Sequence, residues 1–388
     1  MQDAILLFGS GISLNSGMPT VDKLTCSLLH DEWYRDMDVD TYHPGKHPHL
    51  AYRETNNVPV IQAVLKALKH DWDNYLKKKE IPRPANYEDL YYACYALVNE
   101  EDKVHPSPAM RCYRKHFENA IINTVPKRIE GELWQETFST KDLILCAMRF
   151  IKNVVWHKLS DNTVKPQGMD AIVDLAKSRD LGHIVIVTLN HDTLLERALT
   201  AASVAYEDGF TEPATAGDKR YFDRSRLDVR TLPQLLKLHG SVDWGFENGS
   251  EEGPTVARPY RASLSSGDAF KLMFTSEMLV GTHNKDAEYG FGIYREMDFR
   301  LHEALSSASR LLTCGYGWGD RGLNGRLVDW LYSSEDKRLV VLAENEFMHR
   351  FDPGLRNHAE TLERDGRLQR TPKYICDMTA EDLVSLLQ

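Results

Sequence analysis

The sequence predicts an α/β fold: a parallel sheet with helices on both faces and a large helical insert. Three observations predict it. An apolar run, Ala4–Phe8, ends in Gly9-Ser10-Gly11-Ile12-Ser13, a strand feeding a glycine-rich turn. A second run, His183–Leu189, holds Ile-Val-Ile-Val, which suits a strand buried on both faces. Further short apolar runs at Leu235–His239, Leu311–Gly315 and Leu339–Leu342 alternate with helical stretches, the pattern of a parallel sheet.

Taken in order, the first strand and its turn lead to a helix over Val21–Leu29, with Pro19 and Thr20 as start signals. Tyr42–Pro48, rich in His, Pro and Gly, reads as a loop. From Ile61 to Leu159 the pattern is helical. Ile61, Val64, Leu65, Leu68, Trp72, Tyr75 and Leu76 form a one-faced stripe. Tyr87–Val98 and Lys141–Leu159 behave alike, and prolines in Ile81–Ala85 and His105–Pro108 separate them. Asn190 begins a turn, and His191–Ala201 reads as a helix. Asp243–Lys271, rich in Gly, Ser, Pro and charge, reads as a long loop. The expected division is a sheet domain over 1–40 and 165–388, interrupted by a helical insert over 41–164.

The chain has 388 residues, 42% hydrophobic and 27% charged, with 24 Gly and 16 Pro. These values exclude a collagenous, low-complexity or largely disordered chain. Lys and Arg number 47 against 57 Asp and Glu, a net charge of −10, so no strong direct nucleic-acid binding is expected. Arg111, Arg114, Lys115, Lys127 and Arg128 form a modest basic cluster that reads as a solvated helix face. No run of about 20 apolar residues spans a membrane. The apolar N-terminus lacks the basic flank and the length of a signal peptide. The six cysteines are scattered, the closest two, Cys94 and Cys112, being 18 residues apart. No Cys-x-x-Cys pair exists, which excludes a cysteine zinc ribbon and argues against a disulfide framework. A cytoplasmic protein is the expectation.

Four constellations stand at predicted strand ends. Gly9–Ser13 continues to Ser16-Gly17-Met18-Pro19. Glycines between a strand and a helix let backbone N–H groups approach a pyrophosphate, as in Rossmann-like sheets. Leu14 occupies the place of the usual third glycine, and no clear strand precedes Asp31 or Glu32 to supply a ribose-binding acid. A tight turn without a ligand fits the same residues. The second is Thr188-Leu189-Asn190-His191-Asp192, at the edge where open sheets bind ligands, although Asn and Asp are also common helix caps. The third is Leu238-His239-Gly240-Ser241, whose histidine is either structural or catalytic. The fourth is Thr313-Cys314-Gly315-Tyr316-Gly317-Trp318-Gly319-Asp320, where glycines admit a ligand or simply make a turn.

Together and in this order, the four resemble the sirtuin superfamily, which reads Gly-Ala-Gly-x-Ser, Ser-Gly-Ile-Pro, Asn-x-Asp, Leu-His-Gly and a glycine-rich strand end. The closer resemblance is to divergent bacterial sirtuin-like domains of anti-phage defence. Those carry Thr-x-Asn-x-Asp-x-x-x-Glu, here Thr188 to Glu196, and Gly-Tyr-x-x-x-Asp, here Gly315 to Asp320. The resemblance covers Gly9 to Asp320 but not the helical region between the first two motifs. Two departures bear on chemistry. The four-Cys zinc ribbon of the deacylases is missing, and Pro19 is followed by Thr20-Val21-Asp22 where deacylases have Asp-Phe-Arg.

The resemblance implies NAD as substrate, no zinc, and cleavage to nicotinamide and ADP-ribose. Asn190 and His239 are the implied catalytic residues, Asn190 orienting water and His239 acting as general base. Gly9, Ser10, Gly11, Ser13, Ser16, Pro19, Thr188 and Asp192 are implied on the pyrophosphate and nicotinamide-ribose side. Gly315, Tyr316 and Gly317 are implied for the adenosine, with Glu344 for its ribose. Depletion of NAD kills a cell, so the enzyme needs a restraint. The 68 residues after Asp320 leave no room for a large sensor domain. The expectation is a homo-oligomer controlled by a separate subunit, a HerA-type hexameric ATPase or, as second choice, a short Argonaute. A protein deacylase or ADP-ribosyl transferase, and a non-catalytic module that binds NAD or ADP-ribose, are the alternatives.

Overall fold

The computed structural model describes residues 3–36, 41–46, 57–81, 83–101, 107–124, 139–212, 219–250, 253–259, 276–343 and 353–388. The chain divides into two compact units. One comprises Met1–Met18, Leu159–Leu279 and Lys285–Gln388; the other comprises Pro19–Lys158 and Val280–Asn284.

The first unit is built on six parallel strands: β1 (Ala4–Phe8), β4 (Ile184–Thr188), β6 (Gln234–Lys237), β10 (Arg310–Cys314), β11 (Arg338–Leu342) and β12 (Leu368–Thr371). Their order across the sheet is β12-β11-β10-β1-β4-β6. Counted along the chain within this sheet alone, that order is 3-2-1-4-5-6 read from the β6 edge, the order of doubly wound nucleotide-binding sheets. This is a Rossmann-like α/β fold. The direction of winding reverses between β1 and β10, and in open sheets the ligand crevice lies at such a reversal, at the carboxyl ends of the strands.

Both faces are covered, which is why β1 and β4 are buried along their whole length and almost wholly apolar rather than alternating. Leu7, Val187, Leu311 and Val341 pack on one face with Met297 and Leu301 of the helix Gly292–Ser307 and Leu323 and Leu327 of the helix Arg321–Ser333. Leu6, Phe8, Ile186 and Leu312 pack on the other with Ile172 of Asp170–Lys177, Leu195 of Leu194–Ala201 and Leu383 of Ala380–Leu387.

A smaller antiparallel sheet in this unit runs β5 (Lys219–Tyr221), β8 (Gly253–Pro259), β7 (Gly240–Ser250), β9 (Ser276–Met278). The expectation of a loop over Asp243–Lys271 is therefore wrong for its first part; residues 251–252 and 260–271 lie outside the described ones. Trp244 is buried and Phe246 packs against the core, a two-residue alternation that the surrounding Gly, Asn and Glu disguise.

The second unit holds helices α1 (Val21–His30), α2 (Val58–Lys78), α3 (Tyr87–Glu101), α4 (Pro108–Thr124) and most of α5 (Thr140–Leu159), with a hairpin of β2 (Trp33–Asp36) and β3 (Thr41–Pro44). The hairpin corrects the loop expected over Tyr42–Pro48, of which 47–48 lie outside the described residues. Tyr42 is fully buried, and its N–H donates to Asn153 Oδ1 on α5 at 2.9 Å, so the strand is held by tertiary contact where local composition favours a turn. On α2 the apolar stripe is buried at Ile61, Val64, Leu65, Leu68 and Leu76, but Tyr75 is 52% exposed, a correction to the one-faced reading. The α2 face closes on Leu76, one position on. No described helix is long and apolar enough to cross a membrane. Lys127 and Arg128 of the basic cluster lie outside the described residues.

Candidate functional site

The turn after β1 is set by a close approach of backbones. Gly9 N–H donates to Cys314 O and Gly11 N–H to Gly315 O, both at 3.1 Å. A Cβ at Gly9 would stand 2.5 Å from Gly315 O, and one at Gly11 2.4 Å from Gly315 Cα. Gly315 itself has φ +66, a conformation that L side chains rarely adopt. Glycine at 9, 11 and 315 is thus required for the two turns to touch. The N–H groups of Gly9, Gly11 and Ile12 are spent within the protein on Cys314, Gly315 and Gly9 carbonyls.

A short 3-10 helix, Ser10–Ser13, then turns the Ser13 hydroxyl inward, while Ser10 stays exposed. Ser13 Oγ donates to Asp192 Oδ2 and accepts from Asn190 Nδ2, both at 3.0 Å. Residues 179 positions apart are brought together because β1 and β4 are neighbours in register, Phe8 beside Thr188. Thr188 Oγ1 accepts the Asn190 N–H at 3.1 Å, and Asp192 Oδ1 accepts the Leu194 N–H at 3.0 Å. The following helix begins at Leu194, three residues later than expected, and its cap position is Thr193. The Asn190 carboxamide is therefore not spent on a cap. Asn190 is buried, and its Oδ1 has no hydrogen-bond partner among the described residues.

Beneath this turn lies a buried ion pair. Lys237 Nζ reaches Glu196 Oε1 at 2.7 Å and Asp192 O at 2.6 Å. Two residues on, His239 stands at the end of β6. Its Nε2 is 2.8 Å from Asp320 Oδ2 and 2.8 Å from the Tyr289 hydroxyl, which donates to the same Asp320 oxygen at 2.7 Å. All three side chains are buried. Burial alone would raise the Asp320 carboxyl; the His239 hydrogen bond and charge, Lys285 and the Leu323 N–H hold it well below the ordinary carboxylate range. Burial, then the Asp320 carboxylate, push the Tyr289 phenol well above its ordinary value. The His191 ring lies 6.2 Å from that of His239 and is held well below its ordinary value by burial and by His239, Lys285 and Lys237. Gly240 has φ +74, and a Cβ there would meet Glu277 O at 2.0 Å, so the chain can leave His239 only through glycine.

At the fourth constellation the Tyr316 side chain is buried, its hydroxyl donating to Asn324 Oδ1 (2.7 Å) and lying 3.1 Å from Asp320 O. Asn324 Nδ2 closes the turn on Trp318 O at 3.0 Å. What Tyr316 can offer a ligand is its backbone. Nothing stands within 4 Å of a Cβ built on Gly317.

Gly9, Gly11, Ser13, Thr188, Asn190, Asp192, His239 and Gly315 thus gather at the carboxyl ends of β1, β4, β6 and β10. Ser16 stands apart from them, its Oγ accepting the Gln167 N–H at 2.9 Å. Pro19 opens the second unit. Glu344 lies outside the described residues. Among the described residues no group of His, Cys, Asp and Glu is placed to hold a metal ion. Sequence reasoning gave no role to Lys237, Glu196, Tyr289 or Asp320. A lysine inside Leu235-Leu236-Lys237-Leu238 is the legible sign of a buried pair; Tyr289 had none.

No curated protein matches the chain. Residues 184–364 match the model of the SIR2-like domain, a family of NAD-dependent enzymes. That stretch runs from β4 past β11 and contains Asn190, Asp192, His239 and Asp320; there the chain is similar to the SIR2-like domain, and the match supports a place in the sirtuin-like superfamily.

Proposed function

We propose that this chain is an NAD glycohydrolase, converting NAD and water to nicotinamide, ADP-ribose and a proton. The observation that carries the reading is the Asn190 carboxamide. Its Nδ2 is pinned by Ser13, and its Oδ1 is buried with no partner among the described residues. An unmet buried acceptor costs about 1–3 kcal/mol, and a ribose hydroxyl or an attacking water would meet it.

Nicotinamide is cationic in NAD and leaves as a neutral base, so the site needs no acid for the leaving group, unlike ordinary glycosidases. It needs to hold the pyrophosphate, fix the ribose, face a developing positive centre and deliver water. Asp192 brings a buried carboxylate beside Asn190, opposite in sign to that centre. His239 takes the proton from the water, a task an imidazole suits near neutral pH. In this reading the turn Gly9–Ser13, with Ser16 and Pro19, faces the pyrophosphate side, and Thr188 shapes the Asn190 turn. Gly315, Tyr316 and Gly317 receive the adenosine, and Glu344 its ribose.

The same reading places the reaction in anti-phage defence, in the cytoplasm, where NAD depletion aborts infection. It makes the chain a homo-oligomer restrained or triggered by a HerA-type hexameric ATPase. In this reading 1–40 and 165–388 form the NAD-binding domain, and 41–164 is the helical insert that carries the surface for assembly with the partner subunit. Nicotinamide release tests the chemistry. Asn190→Ala and His239→Ala should each lower it by on the order of 10²–10⁴ in a protein that still melts cooperatively. Undiminished release from both variants would overturn the assignment.

A further inference from the structure

His239 is gripped by groups for which the proposed chemistry has no use. Asp320 Oδ2, the Tyr289 hydroxyl and His239 Nε2 form a triangle with sides of 2.7, 2.8 and 2.8 Å. An ionised carboxylate only accepts, and the phenol supplies one proton to it. The other proton in the triangle must then be Nε2–H, which makes Nδ1 the acceptor nitrogen of the neutral ring. The second Asp320 oxygen, Oδ1, accepts the Leu323 N–H at 3.0 Å, so the carboxylate cannot rotate away without uncapping the helix Arg321–Ser333.

Tyr289 is held in turn. The Arg326 guanidinium lies over its ring, 4.9 Å from the centroid, and is ion-paired to Asp298 at 2.7 Å. Gly322 lies against the segment that precedes Tyr289, where a larger residue would have to displace a flexible side chain. A Cβ there would stand 1.9 Å from Asp286 Oδ1, on the short helix Lys285–Glu288 that leads into Tyr289. This is a packed, purpose-fitted arrangement around one imidazole.

We propose that Asp320, Tyr289 and Arg326 are positioning residues that fix the tautomer of His239 and set its basicity, Asp320 holding the Nε2 proton and Tyr289 moderating the carboxylate. The proposal rests on the hydrolytic reading for its kinetic consequences, not for its geometry. In that reaction a water proton passes to Nδ1 as the water oxygen bonds the anomeric carbon and nicotinamide departs with the electron pair of the broken C–N bond. The imidazolium keeps Nε2–H on Asp320 and later gives the Nδ1 proton to solvent.

Among the described residues, the charged and titratable groups facing His239 include Asp320 and Tyr289, with His191 from the turn after β4. Lys285 and Arg326 stand behind them, Lys285 acting on Asp320 and His191 and Arg326 on Tyr289. His191 stays neutral, so the rising limb of the pH profile reports His239 under the influence of Asp320. Removing the carboxylate and removing the phenol should then move that limb in opposite directions. Asp320→Asn withdraws the charge that stabilises the imidazolium, so the limb moves to lower pH. Its carboxamide can also offer N–H to Nε2 and flip the tautomer, lowering plateau turnover on the order of 10²-fold. Asn keeps the helix cap. Tyr289→Phe frees the carboxylate from its donor and makes His239 more basic. Turnover at pH 7 should fall on the order of tenfold and recover at higher pH.

The test is nicotinamide release against pH, together with ¹⁵N NMR of histidine-labelled protein, the His239 signal identified by its loss in His239→Gln. Wild type and Tyr289→Phe should show protonated Nε2, and Asp320→Asn protonated Nδ1. Opposed shifts of the two limbs support the relay. Nδ1–H in the wild type, or limbs that move together or not at all, would overturn it. The expected tautomers in a protein that releases no nicotinamide would leave the relay standing and sink the hydrolytic reading.

Discussion

Lys237 is a cation sealed in an apolar strand, with 2% of its side chain exposed, and Glu196, its partner, has 4%. Removing one partner of such a pair strands the other charge and costs about 3–5 kcal/mol. Here it would also release Asp192 O, and with it the turn that carries Asn190. Lys237→Met should therefore lower the melting temperature by on the order of 10 °C, and the double variant with Glu196→Gln should regain part of that. Calorimetry of both, and of Glu196→Gln alone, would show it; a loss in the double variant equal to the sum of the two single losses would mean the pair is not coupled. At this scale Asn190, Asp192 and His239 were legible, because each stands in a short motif at a strand end. Tyr289 was not. It meets His239 only through folding, 50 residues on, and no local pattern marks it.

At the scale of elements, two turns touching through glycine are the most demanding feature. Gly11→Ala would force its Cβ against Gly315 backbone, which has no flexible end to yield. It should lower the melting temperature by several degrees, as overpacking of about 1–3 kcal/mol does, and remove any thermal shift on adding NAD. Gly317→Ala meets open space. It should leave the melting temperature nearly unchanged, as unhindered substitutions do, and weaken the NAD-induced shift alone. An undisturbed shift in Gly317→Ala would place the adenosine elsewhere. Among the elements, β1, β4, β6, β10 and β11 were legible as apolar runs. The β7–β8 and β2–β3 pairs were not, since glycine, proline and charge within and beside these strands outweigh their alternation. β12 is an edge strand with Gln369 and Arg370 exposed, so it carries no apolar run.

For the whole molecule, alternating strands and helices implied a parallel sheet without saying which strands neighbour which. The order follows from the crossovers, which leave β1 with β4 on one side and β10 on the other. Assembly is tested on the intact chain. Light-scattering mass of the protein alone should exceed that of one 44.4 kDa chain, and co-expression with a HerA-type ATPase should yield a co-eluting complex. A strict monomer that binds no ATPase would defeat the proposed control.

The central place of β1 also sets a clock. Of the six sheet strands this one is made before the others, yet its second edge stays unpaired until β10 emerges 306 residues later, Ala4 beside Arg310. At about 5–20 residues per second that interval is roughly 15–60 s. Asn190 and His239 are both made well before Asp320 and Gly315 arrive to complete their surroundings. Under the hydrolytic reading, His239 gains its Asp320 contact only late in synthesis.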